Sequence, residues 1–524
     1  KNNVGKSSFL SAYEFFVTAN QKAIFSDFYN HNSSVPIVME AVFLKETIDD
    51  TDEELAGKAK GKKVEPDWIE KWVDDQNLVR IKKIWNKQDE SFSKHTFSPK
   101  ENSWVEGGFG GLHTLFQRYA PTPIVINAME TETSLEEKVN KLIQDEFLKK
   151  LKEEHPEEFS DIVGKIKHLQ SKITGSDVIS QYNSEINQYF RKVFSELTLK
   201  IEPKHEEGIK IEDAFKKNHS VTVTKEGATR NELINQYGHG VIRQALFNFI
   251  SFLKKNWTDT RKQYLILFEE PELFLHPEAT FKLRKCLYDL AEQSPFQILC
   301  ATHSPMMIDL SRPHASLVRV TKSSDETTNT YQVGDDVFRG DEYKKERLQM
   351  INRFNPHVCE SFYASHVIIV EGDTEAIVYR DLIGRFFNQF EVYVLNAGSK
   401  NNIPFFQEIF TAFHILHCIV HDTDTKLDKN GDANSAWTLN TRIWEKIQSA
   451  NLKSEGLARR YVHIENFEKA HGIKLTGKEK PIKAYEFVRE LLEDSDAPCL
   501  NWLKDMLGTK AILHDDSYID NLFG

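Results

Sequence analysis

Hydrophobic residues gather along this chain into short runs bounded by turn formers, and several of those runs are too continuously apolar to be half-exposed strands. YLILF (264–268), FQILCA (296–301), HVIIV (366–370) and HILHCIV (414–420) fit strands covered on both faces, as in parallel sheets. SSFLSAYEFF (7–16) and AIVYRDLIGRFF (376–387) instead repeat apolar positions at helical steps. VPIVMEAVFL (35–44), LVRIKKIW (78–85) and TPIVINA (122–128) read as further strands, broken by a charged loop between Lys45 and Lys71. Acids outnumber lysines in that loop, so a solvated insertion is expected rather than a nucleic-acid patch. From Ser134 the pattern turns helical, with LEEKVNKLIQDEFLKKLKEEH (135–155) and DVISQYNSEINQYFRKVFSEL (177–197) each carrying one apolar face. Helices of that kind draw their stability from burying the face against a partner. They predict an inserted arm, with dimerisation favoured over a nucleic-acid clamp, in a chain of α/β class.

Length adds that 524 residues divide into roughly two to four domains. Apolar runs stay well below the roughly 18–20 residues of a membrane span, so no membrane partner is expected. The five cysteines, Cys286, Cys300, Cys359, Cys418 and Cys499, are scattered without CxxC spacing. They predict a reducing cytoplasmic setting with neither a zinc site nor a disulfide framework. A formal charge of −12 argues superficially against nucleic acid. Clustered carboxylates that await cations count as negative, however, so the balance does not exclude a metal-dependent nuclease. The chain opens without methionine and inside a motif, so its natural start is expected upstream.

Four segments carry phosphate chemistry. KNNVGKSSFL (1–10) holds the second half of a P-loop, with Asn3, Gly5, Lys6, Ser7 and Ser8 placed to cradle phosphates at a helix start and Ser7 to ligate magnesium. Alone, a GKS at a helix start is also a chance occurrence. The strand YLILF ends in Glu269 and Glu270, where Glu269 would hold magnesium through water and Glu270 would orient or deprotonate the attacking water. His303 closes the next strand, placed to sense a γ-phosphate. Gly238 and Gly240 precede an amphipathic helix in QYGHGVIRQAL (236–246), a second anion-binding helix start or an ordinary glycine turn.

A second set is acidic. HVIIV leads into Glu371-Gly372, with Thr374 and Glu375 opening a helix, and the glycine is expected to permit a sharp strand-to-helix turn. HILHCIV leads into Asp422-Thr423-Asp424, whose alternation in an extended strand end would point both aspartates toward Glu371. Convergent carboxylates repel unless neutralised, and Mg2+ or Mn2+ is the natural filling. A calcium loop fits poorly, because Leu427 or Ala433 falls where its turn glycine belongs. Asp428 and Asp432 read as solvated turn acids.

Together the first four segments resemble the ATP-binding-cassette ATPases of chromosome maintenance and recombination repair. That resemblance implies ATP as ligand and at least a homodimer, in which Tyr237 to Gly240 of one copy completes the partner's site. The acidic set resembles the Toprim fold. Their fusion resembles the OLD (overcoming lysogenisation defect) family of nucleases, which includes the Gabija nuclease subunit and retron-associated effectors. The implied organisation is an ATPase domain over 1–130 and 205–350, a helical insertion over 131–204, and a Toprim domain over 351–524. The resemblance carries metal positions onto Glu371, Glu375, Asp422 and Asp424, and a further acid onto Glu465, with Glu468 as competitor. It places the late lysine at Lys480, with Lys483 as alternative, and sets Gly398 and Ser399 near the metals with Lys400 facing substrate.

The implied function is an ATP-regulated, metal-dependent DNA endonuclease or nickase of antiphage defence. Its partners would be DNA, further copies of the chain, and a helicase-like protein or a retron reverse transcriptase with its small DNA. The competing reading is a DNA- or partner-binding clamp ATPase with an idle Toprim scaffold. Strand passage is disfavoured, since no winged-helix tyrosine module is evident.

Overall fold

In a computed structural model of the chain, the described residues are 5–45, 68–128, 131, 134, 177–192, 194–203, 219–225, 232–233, 263–292, 296–309, 312, 316–323, 325–334, 356–428, 430–474 and 479–508. Asn3, Tyr237, Gly238 and Gly240, most of the charged loop and the first helix of the expected arm lie outside them. Two compact units are formed, one by Lys6–His303 and the other by Ser304–Gly524 with Lys1–Gly5. Among the described residues no helix is long and apolar enough to cross a membrane.

In the first unit the helix α1 (Lys6–Val17) is followed by an antiparallel meander, β1 (Ile37–Leu44), β2 (Leu78–Trp85), β3 (Ser93–Ser98) and β4 (Ser103–Glu106). Strand β2 buries every second residue, and its Val79 and Ile81 pack with Phe16, Trp72 and Phe109. After α2 (His113–Tyr119) comes β5 (Thr122–Ile126). Helix α3 (Asp177–Phe190) leads to an antiparallel sheet of β6 (Leu197–Pro203), β7 (His219–Lys225) and β8 (Glu232–Leu233). Then β9 (Tyr264–Glu269), α4 (Pro277–Ala291) and β10 (Phe296–Ala301) complete a parallel sheet in the order β10-β9-β5. The continuous apolar runs at 264–268 and 296–301 thus form adjacent parallel strands. Leu10 of α1 packs on Leu267 and Ala301, which fixes the start of that helix against the strand ends.

The second unit contains a hairpin, β11 (Val318–Lys322) and β12 (Thr328–Gln332). Arg319 of the hairpin donates to the carbonyls of Phe413, His414 and Ala364 at 3.0–3.1 Å, pinning it to the following domain. That domain runs β13 (His366–Val370), α5 (Asp373–Phe386), β14 (Val392–Asn396), α6 (Ile403–Ala412), β15 (Leu416–Asp422), α7 (Ser435–Lys453), β16 (Ala458–His463), α8 (Phe467–Ala470), α9 (Lys480–Glu490) and α10 (Pro498–Leu507). All neighbouring strands are parallel in the order β14-β13-β15-β16. Period-two alternation splits the run HVIIV between two cores. Val367 and Ile369 join Phe406, Ile409, Ile443 and Ile447 on one face, while Ile368 and Val370 join Val378, Leu382, Leu500 and Leu503 on the other. Each fully buried aliphatic side chain there stabilises the domain by about 1.5–3 kcal/mol relative to exposure. Burial on both faces explains why the sequence shows runs rather than alternation, and it holds four strand ends side by side.

Candidate metal centre and nucleotide site

The carboxyl ends of the four parallel strands carry Glu371, Asn396, Asp422 and His463, at the edge where open α/β sheets bind ligands. Parallel register sets Val370 beside Val420 and Asp422 beside His463. Glu371 Oε2 accepts the backbone N–H of Asp422 at 3.4 Å. Glu375 enters from the first turn of α5 and is buried. One ligand atom each from Glu375, Asp422 and His463 lies within 4.8 Å of the others. His463 Nδ1 stands 3.1 Å from Asp422 Oδ1.

Burial first, then the Asp422 charge, pushes the Glu371 carboxyl up to about 7. Asp422 is likewise raised to about 7 by burial and then by Asp424, and Glu375 is raised by burial and Asp422. Burial lowers His463 to about 4, so its ring is neutral near pH 7. Acids crowded out of water in this way are unfavourable as anions until a cation joins them. Hard carboxylate oxygens with a neutral imidazole match the donor set of a divalent ion, so the residues present fit one.

Three details differ from the expectations. Strand alternation does not aim Asp424, because β15 ends at Asp422 and Asp424 has a positive φ of 61°. Its amide bonds to the carbonyl of Glu465, which has the same φ, so the two loops are bridged by backbone. Gly372 has φ −150° and caps α5 from extended backbone, so no left-handed turn requires it. Lys400 does not face outward. It is 3% exposed, and its Nζ donates to the Asp422 carbonyl at 2.6 Å and to Asp424 Oδ2 at 2.7 Å. The left-handed residue in that turn is Gly398, with φ 70°; Ser399 caps the short turn Lys400–Asn402 by accepting the Asn401 amide.

The remaining acids are tied to lysines. Glu465 bonds to Lys469, and Glu468 accepts an ion pair from Lys480 at 2.6 Å. The Lys480 charge also acts on Asp422. Asp428 accepts the amides of Asn430 and Asp432, as a turn acid does.

Gly5 adopts a φ of 94° in the residue that precedes α1 in the chain. Lys6 opens the helix, and its Nζ lies 3.3 Å from His303 Nδ1. Burial lowers the Lys6 ammonium, and burial followed by the Lys6 charge lowers His303. An ammonium only donates, so Nδ1 accepts and the Nε2 proton faces Glu270 Oε1 at 3.7 Å. Ser7 Oγ donates to Glu269, whose other oxygen accepts the Ala128 amide at 3.2 Å. Hydroxyl and carboxylate in contact are the hard oxygen pair that suits magnesium. Ser8 is exposed in the same first turn. Glu270 has a positive φ of 43°, a strained conformation for a non-glycine residue. Glu272, not anticipated from the sequence, accepts from Thr302 Oγ1 at 2.5 Å and from the His303 amide at 3.2 Å, fixing the loop that bears His303. His463 was also not anticipated. The available signal was its place at the end of an apolar strand, as for the acids that follow the other strands.

Residues 74–308 match a family model described as AAA ATPase domain, and residues 362–424 match one described as overcoming lysogenization defect protein-like, TOPRIM domain. The Old nuclease of Escherichia phage P2 is 24% identical over 525 aligned residues, which cover 94% of this chain and 85% of the relative. The OLD nuclease of Thermus scotoductus (strain ATCC 700910 / SA-01) is 27% identical over 235 residues, 43% of each chain. Among solved structures, the SmcHead bound to the C-winged helix domain of ScpA aligns with a TM-score of 0.37 at 11% identity, covering 64% of this chain and 88% of that one.

Proposed function

The chain belongs to the OLD family, joining an AAA-type ATPase domain to an OLD-like Toprim domain, and from that premise we propose that it is a divalent-metal-dependent DNA endonuclease whose nicking is governed by ATP. The observation that carries this reading is the convergence of Glu371, Asp422 and His463 at the ends of adjacent parallel strands with Glu375 from the first turn of α5. Divalent cations bound there supply Lewis-acid polarisation of a phosphodiester and an activated water. Glu371, Glu375 and Asp422 hold them. Asp424 and Glu465 stand on the bridged loops at the rim, where they complete the oxygen donors. Lys400 keeps the Asp424 carboxylate in place. Lys480, half-exposed and held by Glu468, brings positive charge to the scissile phosphate.

In the ATPase unit Lys6 and Ser8 in the first turn of α1 bind phosphate oxygens, and Ser7 with Glu269 holds Mg2+; Asn3 and Gly5, which precede them in the sequence, belong to the same phosphate-binding motif. Glu270 takes the proton of the attacking water and His303 contacts the γ-phosphate. Gly238 and Gly240 of a second copy complete the site, so ATP binding favours a homodimer. Nucleotide state then selects whether the nuclease centre engages DNA, a control suited to antiphage defence with a helicase-like or retron-type partner. Plasmid nicking with Mn2+ tests the central claim: Glu371→Ala and Asp422→Ala abolish it, and nicking that survived both changes would remove the assignment. Comparing ATP, ADP and a non-hydrolysable analogue in the same assay tests nucleotide control.

A further inference from the structure

His463 is an unusual neighbour for a cluster of metal-binding carboxylates. It ends β16 directly beside Asp422 in the register of the sheet, and it is fully buried. Its ring is walled by Trp502 at 4.8 Å, by the edge of Phe467 at 5.2 Å and by His471 at 5.5 Å between ring centres. These walls leave it little freedom to turn. The adjacent His471 shows how a structural histidine is satisfied: Nδ1 donates to the Phe467 carbonyl at 2.9 Å, and Nε2 accepts the Cys499 amide at 3.1 Å. His463 has no such pair. Its Nε2 has no hydrogen-bond partner among the described residues, and its Nδ1 faces only Asp422 Oδ1. Both nitrogens of His471 are used, so it does not compete as a ligand.

We propose that His463 is itself a ligand, closing with Glu375 and Asp422 a mixed nitrogen and oxygen position that prefers Mn2+ and later transition-series ions over Mg2+. This rests on the nuclease reading of the same centre. An ion about 2.0–2.2 Å from each donor fits a triangle of this size after small side-chain adjustments. Imidazole raises affinity along the transition series, whereas purely carboxylate and water positions suit Mg2+ equally well. The preformed clamp of Trp502 and Phe467 means that little ordering accompanies binding. The position therefore differs in kind from one built of oxygens alone, and it gives the nuclease a metal preference set by one side chain.

Pulsed EPR of Mn2+ bound to the full-length protein without nucleotide reads the ligand directly. The signal remaining in Asp422→Ala is subtracted, because Ser7, Glu269 and His303 of the other unit also offer Mn2+ donors. The expected result is a nitrogen coupling of directly ligated imidazole that changes isotope signature when histidine is supplied as 15N. His463→Gln removes that coupling, weakens Mn2+ binding about 10-fold or more and narrows the Mn2+ to Mg2+ preference of nicking. Binding that is lost in Asp422→Ala but shows no ligand-strength nitrogen coupling in the wild type overturns the proposal and leaves the carboxylate centre standing. Binding unchanged in Asp422→Ala overturns both. The isotope experiment needs no substitution at His463, so a folding defect in His463→Gln does not blunt it.

Discussion

The ammonium of Lys400 lies 2.7 Å from the carboxylate of Asp424, and its two hydrogen bonds run inward, one to the last residue of β15 and one to the loop that follows it. Its charge lowers the proton affinity of Glu371 and Asp422, which burial otherwise raises. Lys400→Met therefore makes both acids hold their protons to higher pH, where they resist metal. The acidic limb of the nicking profile is expected to move up by about one pH unit, with activity largely restored at high pH. A profile that keeps its position while its height falls would assign Lys400 a contact with substrate instead.

Metal binding at the same centre is expected to release protons. Glu371 and Asp422 are raised to about 7, so near neutrality each is partly protonated in the metal-free protein and must ionise to ligate. Apparent Mn2+ affinity rises with pH between about 6 and 8 and levels off above. Titration calorimetry at pH 7 in buffers of different ionisation heat should return on the order of one proton released per site, falling toward none at pH 9. A constant heat across buffers at pH 7 contradicts the raised acids.

Much of this centre was legible in the chain because its strands are buried on both faces. Runs such as HVIIV announce parallel strands, and the acids that follow them must lie at one sheet edge. The sequence does not record where the strand ends. Asp422 closes β15 while Asp424 sits in a left-handed loop, so period two fails at the very residue to which it was applied. Lys400 escaped for a related reason: an inward lysine looks like an outward one until its carboxylate partner is placed. His463 carries no acidic signature, and its meaning depends on a register partner in another strand. In the ATPase unit the ends of β9 and β10 were readable, whereas Glu272 was not, since its role lies in the backbone of the His303 loop.

Hydrolysis of ATP separates two roles at the end of β9. Glu270 approaches His303 at 3.7 Å, while Glu269 is engaged by Ser7. Glu270→Gln should lower the hydrolysis rate by about 10²–10⁴-fold and retain nucleotide binding, as loss of a general base does. Lys6→Ala should weaken binding as well, because it removes the ammonium proposed to face the phosphates. Radiolabelled ATP turnover alongside fluorescent-nucleotide titration distinguishes them, and wild-type turnover in both variants would dismiss the assignment.

The stability of the Toprim domain should depend on pH through histidines remote from the metal. His417 is fully buried with Nδ1 2.8 Å from the Ile415 carbonyl, and burial lowers it to about 4; His366, beside Cys418, is lowered to about 4 for the same reason. An unfolded histidine titrates near 6.5, so between about 6.5 and 4 the unfolded chain binds protons that the folded one refuses. These rings therefore favour the fold above pH 6.5, and that advantage is lost as pH falls toward 4, by up to about 1.4 kcal/mol per pH unit for each ring. The raised acids Glu371 and Asp422 pull the opposite way across about pH 4–7 in metal-free protein. The histidine contribution is thus the difference between wild type and His417→Leu, measured by urea denaturation at pH 7.5, 6 and 5. The variant should gain on the wild type steadily as pH falls through this window. Parallel stability curves at all three values would mean that His417 is protonated in the folded domain as readily as in the unfolded chain.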